Sequence, residues 1–213
     1  MRTLPRGVPE KHDVSKKLFL MFENLQKYHI ILASNSPRRK ELLGRLGLDF
    51  KVRSLLGVDE SYPPSLPAEE VAGYVARKKA EAYKQSMGKD ELLITADTVV
   101  RVGSEVLGKP AGREDALRML RNLSGRAHEV TTGVAIVTAA RTECFSVTSQ
   151  VKFAPLTEEE ITYYVDRFLP FDKAGAYGIQ ELIGLIGVEE IRGCFFNIVG
   201  LPVQRLYQAL KHF

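Results

Sequence analysis

The stretch His29-Ile30-Ile31-Leu32-Ala33-Ser34-Asn35-Ser36-Pro37-Arg38-Arg39 contains a predicted strand, a turn and the start of a helix. The apolar run over residues 29–33 is typical of a buried strand, and small polar residues follow it. Ser36 is a good helix N-cap, and Pro37 stands at the first helical position, where proline is tolerated. Leucines at helical spacing then give the helix an apolar face, at Leu42, Leu43 and Leu46. A buried strand that leads directly into such a helix favours an α/β fold.

Strand and helix patterns alternate through the rest of the chain. Further strands are predicted at 49–53, 92–102, 130–138 and 144–153, with a short one after residue 187. Helices are predicted over 68–87 and 113–123, after a capping box formed by Thr157 and Glu160, and from Pro202. Residues 172–187 are predicted to form a glycine-rich loop. The alternation indicates an α/β class, while the order of the strands stays open.

The chain has 213 residues and a formal net charge of +4. Residues 1–20 carry five Lys or Arg against two carboxylates, so the remaining body is nearly neutral. Such a body lacks the basic face typical of nucleic-acid binding, and we expect no stable nucleic-acid partner. Prolines, mixed charge and the lack of periodicity indicate that 1–20 is a peripheral N-terminal extension, which leaves 21–213 as a single domain.

We expect the protein to be cytoplasmic and to have no membrane association. Its apolar runs are shorter than the roughly 20 residues that span a bilayer. The patch at 18–22 is too short for the core of a signal peptide, and no small-residue cleavage site follows it. Cys144 and Cys194 lack the paired spacing of a zinc site. They are predicted to be reduced thiols, with a disulfide as the alternative.

The turn at 33–39 is the first candidate for binding chemistry. Backbone N–H groups and the positive end of the helix dipole point to one spot there, and Ser34 adds a hydroxyl. Arg38 and Arg39 have planar forks that suit phosphate oxygens. Arginine in the first helical turn opposes the dipole, so an anion is expected nearby. The alternative is a well-capped helix with two solvated arginines.

Asp97 and Lys79 are charged residues in apolar surroundings. Asp97 interrupts the apolar run over 92–100, where a carboxylate is costly unless it is paired, metal-bound or at the edge of a site. The alternative is a local cap with Thr98. Lys79 lies near the middle of an apolar helix face, and it either snorkels to solvent or reaches an anion in a cleft. The apolar residues predicted for that face are Val71, Ala72, Val75, Ala76, Ala82 and Tyr83.

Two glycine-containing segments complete the candidates. Residues 103–109 match the first seven places of a P-loop, but Pro110 stands where Ser or Thr must hold magnesium, so a P-loop is rejected. Lys109 can still reach phosphate from a turn. Further on, Tyr177 and Gln180 can stack on or hydrogen-bond to a flat base, unless their segment is a flexible surface loop. Histidine and cysteine show no metal-binding pattern, which leaves carboxylates with magnesium.

Taken in order, these segments resemble the Maf family of nucleotide pyrophosphatases, from about residue 29 to the C-terminus. Six motifs in series carry the resemblance: the opening stretch with Leu42-Leu43, Ala76-Arg77-Lys78-Lys79-Ala80, Ala96-Asp97-Thr98, Gly108-Lys109-Pro110, Leu123-Ser124-Gly125-Arg126 through Gly133-Val134-Ala135, and Asp172-Lys173-Ala174-Gly175-Ala176-Tyr177-Gly178-Ile179-Gln180. The resemblance implies an elongated α/β fold with a mixed sheet, in two lobes around a central nucleotide-binding cleft, similar to that of inosine triphosphatases.

The resemblance also implies roles for individual residues. The residues around the triphosphate would be Ser34, Arg38, Lys79 and Lys109. Asp97 would be the general base, and with Glu60 it would hold a divalent cation, magnesium or manganese. The residues that match the branch resembling dTTP and UTP pyrophosphatases are Arg39, Thr98 and Gln180.

The implied activity is hydrolysis of dTTP and UTP, and of modified pyrimidine nucleotides, to the monophosphate and pyrophosphate. Two alternatives stay open. One is a purine-directed pyrophosphatase acting on 7-methyl-GTP or inosine triphosphate, and the other is a non-catalytic nucleotide-binding regulator of septum formation. The expected partner is therefore a small nucleotide, and the oligomeric state stays open, with a homodimer among the options.

Overall fold

The computed structural model describes residues 21–54 and 57–213, so the predicted extension over 1–20 lies outside the described residues. The strands are β1 His29–Leu32, β2 Phe50–Val52, β3 Glu91–Val102, β4 Glu105–Leu107, β5 Ala127–Val137, β6 Thr142–Phe153 and β7 Val188–Arg192. The α-helices are α1 Pro37–Gly44, α2 Val71–Lys84, α3 Arg113–Leu123, α4 Glu158–Phe168, α5 Leu182–Gly187, α6 Phe195–Val199 and α7 Val203–Leu210. Short 3-10 turns occur at Glu23–Leu25, Ala68–Glu70 and Ala174–Ala176.

The strands form one mixed sheet in the order β2-β1-β3-β5-β6-β7, with β4 also paired to β3. Strands β2, β1 and β3 are parallel to one another, because α1 and α2 provide the crossovers between them. The pairs β3–β5, β5–β6, β6–β7 and β3–β4 are antiparallel. The predicted α/β fold with a mixed sheet is therefore confirmed.

The local signals that define helix starts are confirmed. The Ser36 hydroxyl accepts the backbone N–H of Arg39 at 3.4 Å, and Pro37 is the first residue of α1. Thr157 and Glu160 form the complete capping box at the start of α4. These caps satisfy backbone donors that have no partner within the helix, which fixes where each helix begins.

The sequence prediction was wrong about parts of the C-terminal third. The predicted loop over 172–187 contains a 3-10 turn and helix α5, and the prediction missed α6. Glycine dominates the local signal, yet Ile183 is fully buried and holds α5 against the core. Strand β4 was also missed, because the 103–109 segment forms a tight hairpin whose Gly103 has φ of 59°.

The apolar core consists of two main clusters that share the central strands. On one face of β3, Leu92, Ile94 and Ala96 belong to the first cluster, while Val100 and Val102 belong to the second. Thr98 occupies the same face between them, since side chains alternate along a strand. The two clusters therefore meet at a polar position in the middle of β3.

Helix α2 packs on the opposite face of the sheet at very short range. A Cβ atom added to Gly133 of β5 would lie 2.3 Å from the backbone oxygen of Ala72 and 2.4 Å from the nitrogen of Gly73. The Thr95 hydroxyl donates to the Ala76 carbonyl at 2.7 Å in the same contact. Glycine at 133 is thus required by the close approach of helix backbone to strand backbone.

We predict that Gly133→Ala forces α2 away from the sheet and destabilises the fold. Overpacking a dense core costs about 1–3 kcal/mol, which corresponds to a Tm lower by at least about 3 °C for a chain of this size. The control is Gly44→Ala, because the nearest atom to its added Cβ lies 4.0 Å away. Equal Tm values for Gly133→Ala and the wild type would contradict the close contact.

Candidate active site

A gap in the sheet creates the site. Strand β5 pairs with β3 from Leu93 to Arg101, so one edge of β3 is covered almost throughout. On the other edge, β1 pairs with 91–94 and β4 with 100–102. Residues 95–99 therefore lack a strand neighbour on this edge within the described part of the chain. Side chains from both faces of β3 can reach the opening.

A cavity of about 500 Å³ lies at this gap. It brings together every site residue predicted from the sequence, although they come from six separate segments of the chain. Those lining residues are Ser34, Arg38, Arg39, Glu60, Lys79, Asp97, Thr98, Lys109 and Gln180. The backbone turn over 33–36 and the segment 198–200 also line it.

The N-terminus of α1 forms one wall of the cavity. The Ser34 hydroxyl accepts the backbone N–H of Ser36 at 3.2 Å, which holds the turn closed. Arg38 forms an ion pair with Asp172, with an Nη1–Oδ2 distance of 2.8 Å. Asp172 thus supplies an anion beside Arg38 but not beside Arg39, and it lies 134 residues away from Arg38 in the sequence. The two elements meet across the mouth of the cavity.

Lys79 stands between two carboxylates. Its Nζ lies 2.7 Å from Oδ1 of Asp97 and 3.0 Å from Oε1 of Glu60. The Lys79 side chain is 14% exposed, so it reaches the cavity rather than snorkelling to solvent. Partial burial of Glu60 opposes its ionisation, but attraction to Lys79, Lys109 and Arg39 prevails and lowers its pKa.

The helix face that carries Lys79 differs from the prediction in one position. Ala82 is exposed, and Ala80 is buried in its place. Alanine at 80 lies one residue after Lys79 and packs against β1 and β3 through Ile31 and Leu93. This small rotation of the face leaves Lys79 at its edge, where the side chain can enter the gap.

Positive charge exceeds negative charge in the cavity. Five cationic side chains line it against three carboxylates, and Lys109 is exposed at its rim. The cations are Arg38, Arg39, Lys79, Lys109 and Lys173, and the carboxylates are Glu60, Asp97 and Asp172. An excess of one sign of charge in a partly enclosed cleft favours a ligand of the opposite charge. The cavity is therefore suited to a polyanion.

Arg39 is fixed by the interior of the protein. Its Nε donates to the Gly200 carbonyl at 2.8 Å, and its Nη2 donates to the Thr98 hydroxyl at 2.9 Å. Burial is the largest influence and lowers the pKa of the guanidinium, although attraction to Asp97 opposes this shift. The fork is consequently rigid, with N–H groups left over to face a ligand.

Several residues around the cavity were not assigned a role from the sequence. Lys173 is 8% exposed, and its Nζ contacts Asp172 at 2.7 Å and Glu181 at 3.2 Å. Glu181 also accepts the hydroxyl of Tyr164. The sequence signal for this network is weak, because Lys173 and its partners belong to a segment that reads as a loop.

Tyr177 forms part of the cavity wall. It is 6% exposed, and its hydroxyl lies 2.8 Å from Nε2 of the buried His128. Burial lowers the pKa of His128 to about 4, so the imidazole is neutral near pH 7. Gln180 is exposed at the cavity. Tyr177 and Gln180 were both predicted to contact a base, and only Gln180 has a polar group that is exposed at the cavity.

The fold and the cavity together define an α/β protein with a cation-rich cleft in which two carboxylates meet at one lysine. The family model for Maf-like proteins matches residues 29–213, and this chain belongs to that family. A dTTP/UTP pyrophosphatase from Parabacteroides distasonis is 59% identical over 91% of this chain and 100% of its own length. One with the same name from Bacteroides thetaiotaomicron is 58% identical, covering 90% of this chain and 99% of its own.

A more distant likeness is seen among solved structures. A HAM1 protein from Coxiella burnetii covers 87% of this chain and 100% of its own, with a TM-score of 0.46 and 14% identity. This likeness is too remote to inform the site. Among residues 21–54 and 57–213, we find no helix with the length and apolar character needed to cross a membrane.

The loop that carries Glu60 is fastened to α2 by a second lysine. Lys78 Nζ lies 2.7 Å from Oδ2 of Asp59 and 2.9 Å from the Ser61 carbonyl, and Ser61 N–H donates to Oδ1 of Asp59 at 2.9 Å. The hydrogen bond from Lys78 is the largest influence on the Asp59 carboxyl and those from Ser61 come next, and together they hold its pKa well below its usual range. Adjacent lysines on one helix therefore hold adjacent carboxylates on the loop.

We predict that Lys78→Met loosens this loop without unfolding the protein. Exposed ion pairs contribute about 1 kcal/mol or less, so the Tm should change by only a few degrees. Amide hydrogen exchange over 57–61 should accelerate by up to about fivefold, as measured by mass spectrometry, because about 1 kcal/mol corresponds to that factor. Lys84→Met, on the exposed side of the same helix, is the control. Unchanged exchange in Lys78→Met would show that the loop is held by other contacts.

Proposed function

We propose that this protein hydrolyses dTTP and UTP between the α and β phosphates, releasing the monophosphate and pyrophosphate. The observation that carries the proposal is the meeting of Asp97 and Glu60 at Lys79, inside a cavity with an excess of cations. Hydrolysis of a phosphoanhydride needs cations to neutralise developing charge and a group that orients water. The names of the relatives support the same activity.

The triphosphate is bound by cations and hydroxyls from separate elements. Ser34 supplies a donor from the turn before α1 and Arg38 supplies donors from its first turn, while Lys79 and Lys109 supply charge from the other walls. Arg38 pairs with Asp172 in the free protein. A phosphate oxygen competes for the same fork, because guanidinium groups bind carboxylate and phosphate with similar geometry. Substrate binding thus exchanges one anion for another at Arg38.

Glu60 and Asp97 fit the requirements of a divalent cation. Their carboxylate oxygens lie 2.7 and 3.0 Å from the Lys79 ammonium, so two hard oxygen ligands face one location, which Lys79 would leave for the phosphates when a cation binds. Magnesium is bound in many phosphate enzymes by one or two carboxylates, with substrate and water completing its octahedron. These residues would hold magnesium or manganese, which neutralises charge on the phosphate oxygens when bound.

Asp97 orients the water that attacks the α phosphorus and accepts its proton. Its side chain is 15% exposed at the gap in the sheet, so it is both desolvated and accessible from the cavity. Lys79 keeps the carboxylate in place and offsets its charge in the free protein. Attack in line with the α–β bond expels pyrophosphate, whose charge the surrounding cations stabilise.

The base is recognised by Arg39 and Thr98, on the far side of β3 from α2, together with Gln180. A uracil or thymine ring presents two carbonyls that flank one N–H. Gln180 can both donate and accept, and the spare N–H groups of Arg39 only donate. We further expect the enzyme to act in the cytoplasm, without stable binding to nucleic acids or membranes.

We predict that Asp97→Asn lowers kcat by about 10²–10⁴, because loss of a general base typically costs that much. The fold should survive, since asparagine keeps the shape of the side chain. Activity is followed by chromatography of the products with UTP and magnesium. The control is Asp166→Asn, which removes a surface carboxylate paired with Arg113. Release of orthophosphate and UDP by the wild type would place the cleavage at the wrong bond.

We predict that Gln180→Ala reduces base selectivity more than turnover. The wild type should prefer dTTP and UTP over CTP and purine triphosphates by at least about tenfold in kcat/KM, because mismatched buried polar groups go unpaired. In Gln180→Ala, the ratio of kcat/KM for UTP to kcat/KM for the other triphosphates should fall by a larger factor than kcat for UTP does. Gln204→Ala, on the exposed side of α7, is the control. Equal losses for every triphosphate would assign Gln180 to catalysis or folding instead.

A further inference from the structure

A chain of hydrogen bonds runs from the base side of the cavity into the core. Arg39 Nη2 donates to the Thr98 hydroxyl at 2.9 Å, and the Thr98 and Thr132 hydroxyl oxygens lie 2.9 Å apart. The Thr132 hydroxyl in turn donates to the backbone carbonyl of Asn197 at 3.0 Å. Thr98 and Thr132 are directly opposite each other in the β3–β5 register. The chain therefore begins with a pure donor and ends with a pure acceptor.

These two ends determine where each proton lies. A backbone carbonyl has no proton to give, so the single proton of Thr132 points to Asn197. Thr132 must then accept from Thr98, which commits the single proton of Thr98. In the part of the chain that the structure describes, Arg39 is the donor to Thr98, and it uses one of the two lone pairs. The Thr98 hydroxyl can therefore offer a ligand only an acceptor.

Burial stabilises this arrangement. Thr132 and Asn197 are both fully buried, so water does not replace either partner. The Asn197 side chain is anchored as well, because its Nδ2 donates to the Val130 carbonyl at 2.9 Å and to the Ser149 hydroxyl at 3.0 Å. Helix α6 thus holds the terminal carbonyl of the chain in one position, and rotation of the Thr98 hydroxyl would break a buried hydrogen bond.

We propose that Thr132 is a specificity-determining positioning residue, which fixes Thr98 as an acceptor and thereby selects pyrimidine rings that carry an N–H beside a carbonyl. The inference rests on the proposed function and explains its preference for uracil and thymine. Spare N–H groups of Arg39 face the ring carbonyl, and the Thr98 lone pair faces the ring N–H. Cytosine presents an unprotonated ring nitrogen at the same place, so two acceptors would oppose each other.

The test compares Thr132→Val with Thr132→Ser and Thr131→Val. Valine keeps the shape of threonine but frees the Thr98 proton to turn toward a ligand, whereas serine retains the hydroxyl. Thr131→Val removes a similar threonine pair, with Thr148 at 2.9 Å, on the opposite face of the same strand. The measurements are kcat/KM for UTP and CTP, and the Kd of each nucleotide by calorimetry with calcium in place of magnesium.

We expect Thr132→Val to lower the UTP:CTP ratio at least about fivefold, in kcat/KM and in Kd, with most of the change a gain for CTP. Thr132→Ser and Thr131→Val should keep the wild-type ratio. If Thr132→Val does not fold, Thr132→Ala gives the same readout, since water in the vacated space can donate or accept and no longer fixes the Thr98 proton.

An unchanged ratio in folded Thr132→Val or Thr132→Ala would overturn the inference, as would an equal loss in Thr131→Val. Failure of the proposed function gives a different result. If the wild type turns over neither UTP nor dTTP, the pyrophosphatase proposal fails, and the Kd ratios still decide whether Thr132 governs the choice of base.

Discussion

Strand β3 is covered by β5 along one edge, while on the other edge β1 and β4 cover its two ends. This incomplete pairing is the constraint on which the site depends. Because the described residues place no strand beside 95–99, the turn before α1 and the 172–180 segment can approach β3 directly. Alternating side chains then reach the opening from both faces of the sheet. Asp97 enters from the side of α2, and Thr98 enters from the side of Arg39.

The distance between α2 and the sheet sets the geometry of the charged cluster. Gly133, together with Ala72 and Ala76, allows helix and strand backbones to come into contact. A densely packed interior leaves the helix little room to shift relative to the sheet. Lys79 therefore stays within hydrogen-bond distance of Asp97. The ammonium also offsets two carboxylates that would otherwise repel each other in a partly buried space. Packing far from solvent is therefore what positions the polar groups.

Features whose partners are close in sequence were predictable, and features whose partners are distant were not. Ser36 and the Thr157–Glu160 box could be identified because their contacts lie within one helical turn. An aspartate in an apolar strand and two arginines in a first turn indicated unmet electrostatic needs. Their partners could not be identified from local pattern, since Arg38 finds Asp172 across 134 residues. Helices α5 and α6 were missed because tertiary burial, not propensity, stabilises such short segments.

The alternation of side chains along β3 also bears on how this protein can change over evolution. Adjacent residues, Asp97 and Thr98, lie on opposite faces, and each is supported by its own set of neighbours: Lys79 on one side, Arg39 and Thr132 on the other. Substitutions in the residues that support Thr98 therefore lie on the opposite face of β3 from Asp97 and Lys79. With the roles that we propose for Asp97 and Thr98, this layout separates the heritable control of substrate choice from that of rate, so new nucleotide preferences can arise without rebuilding the residues of hydrolysis.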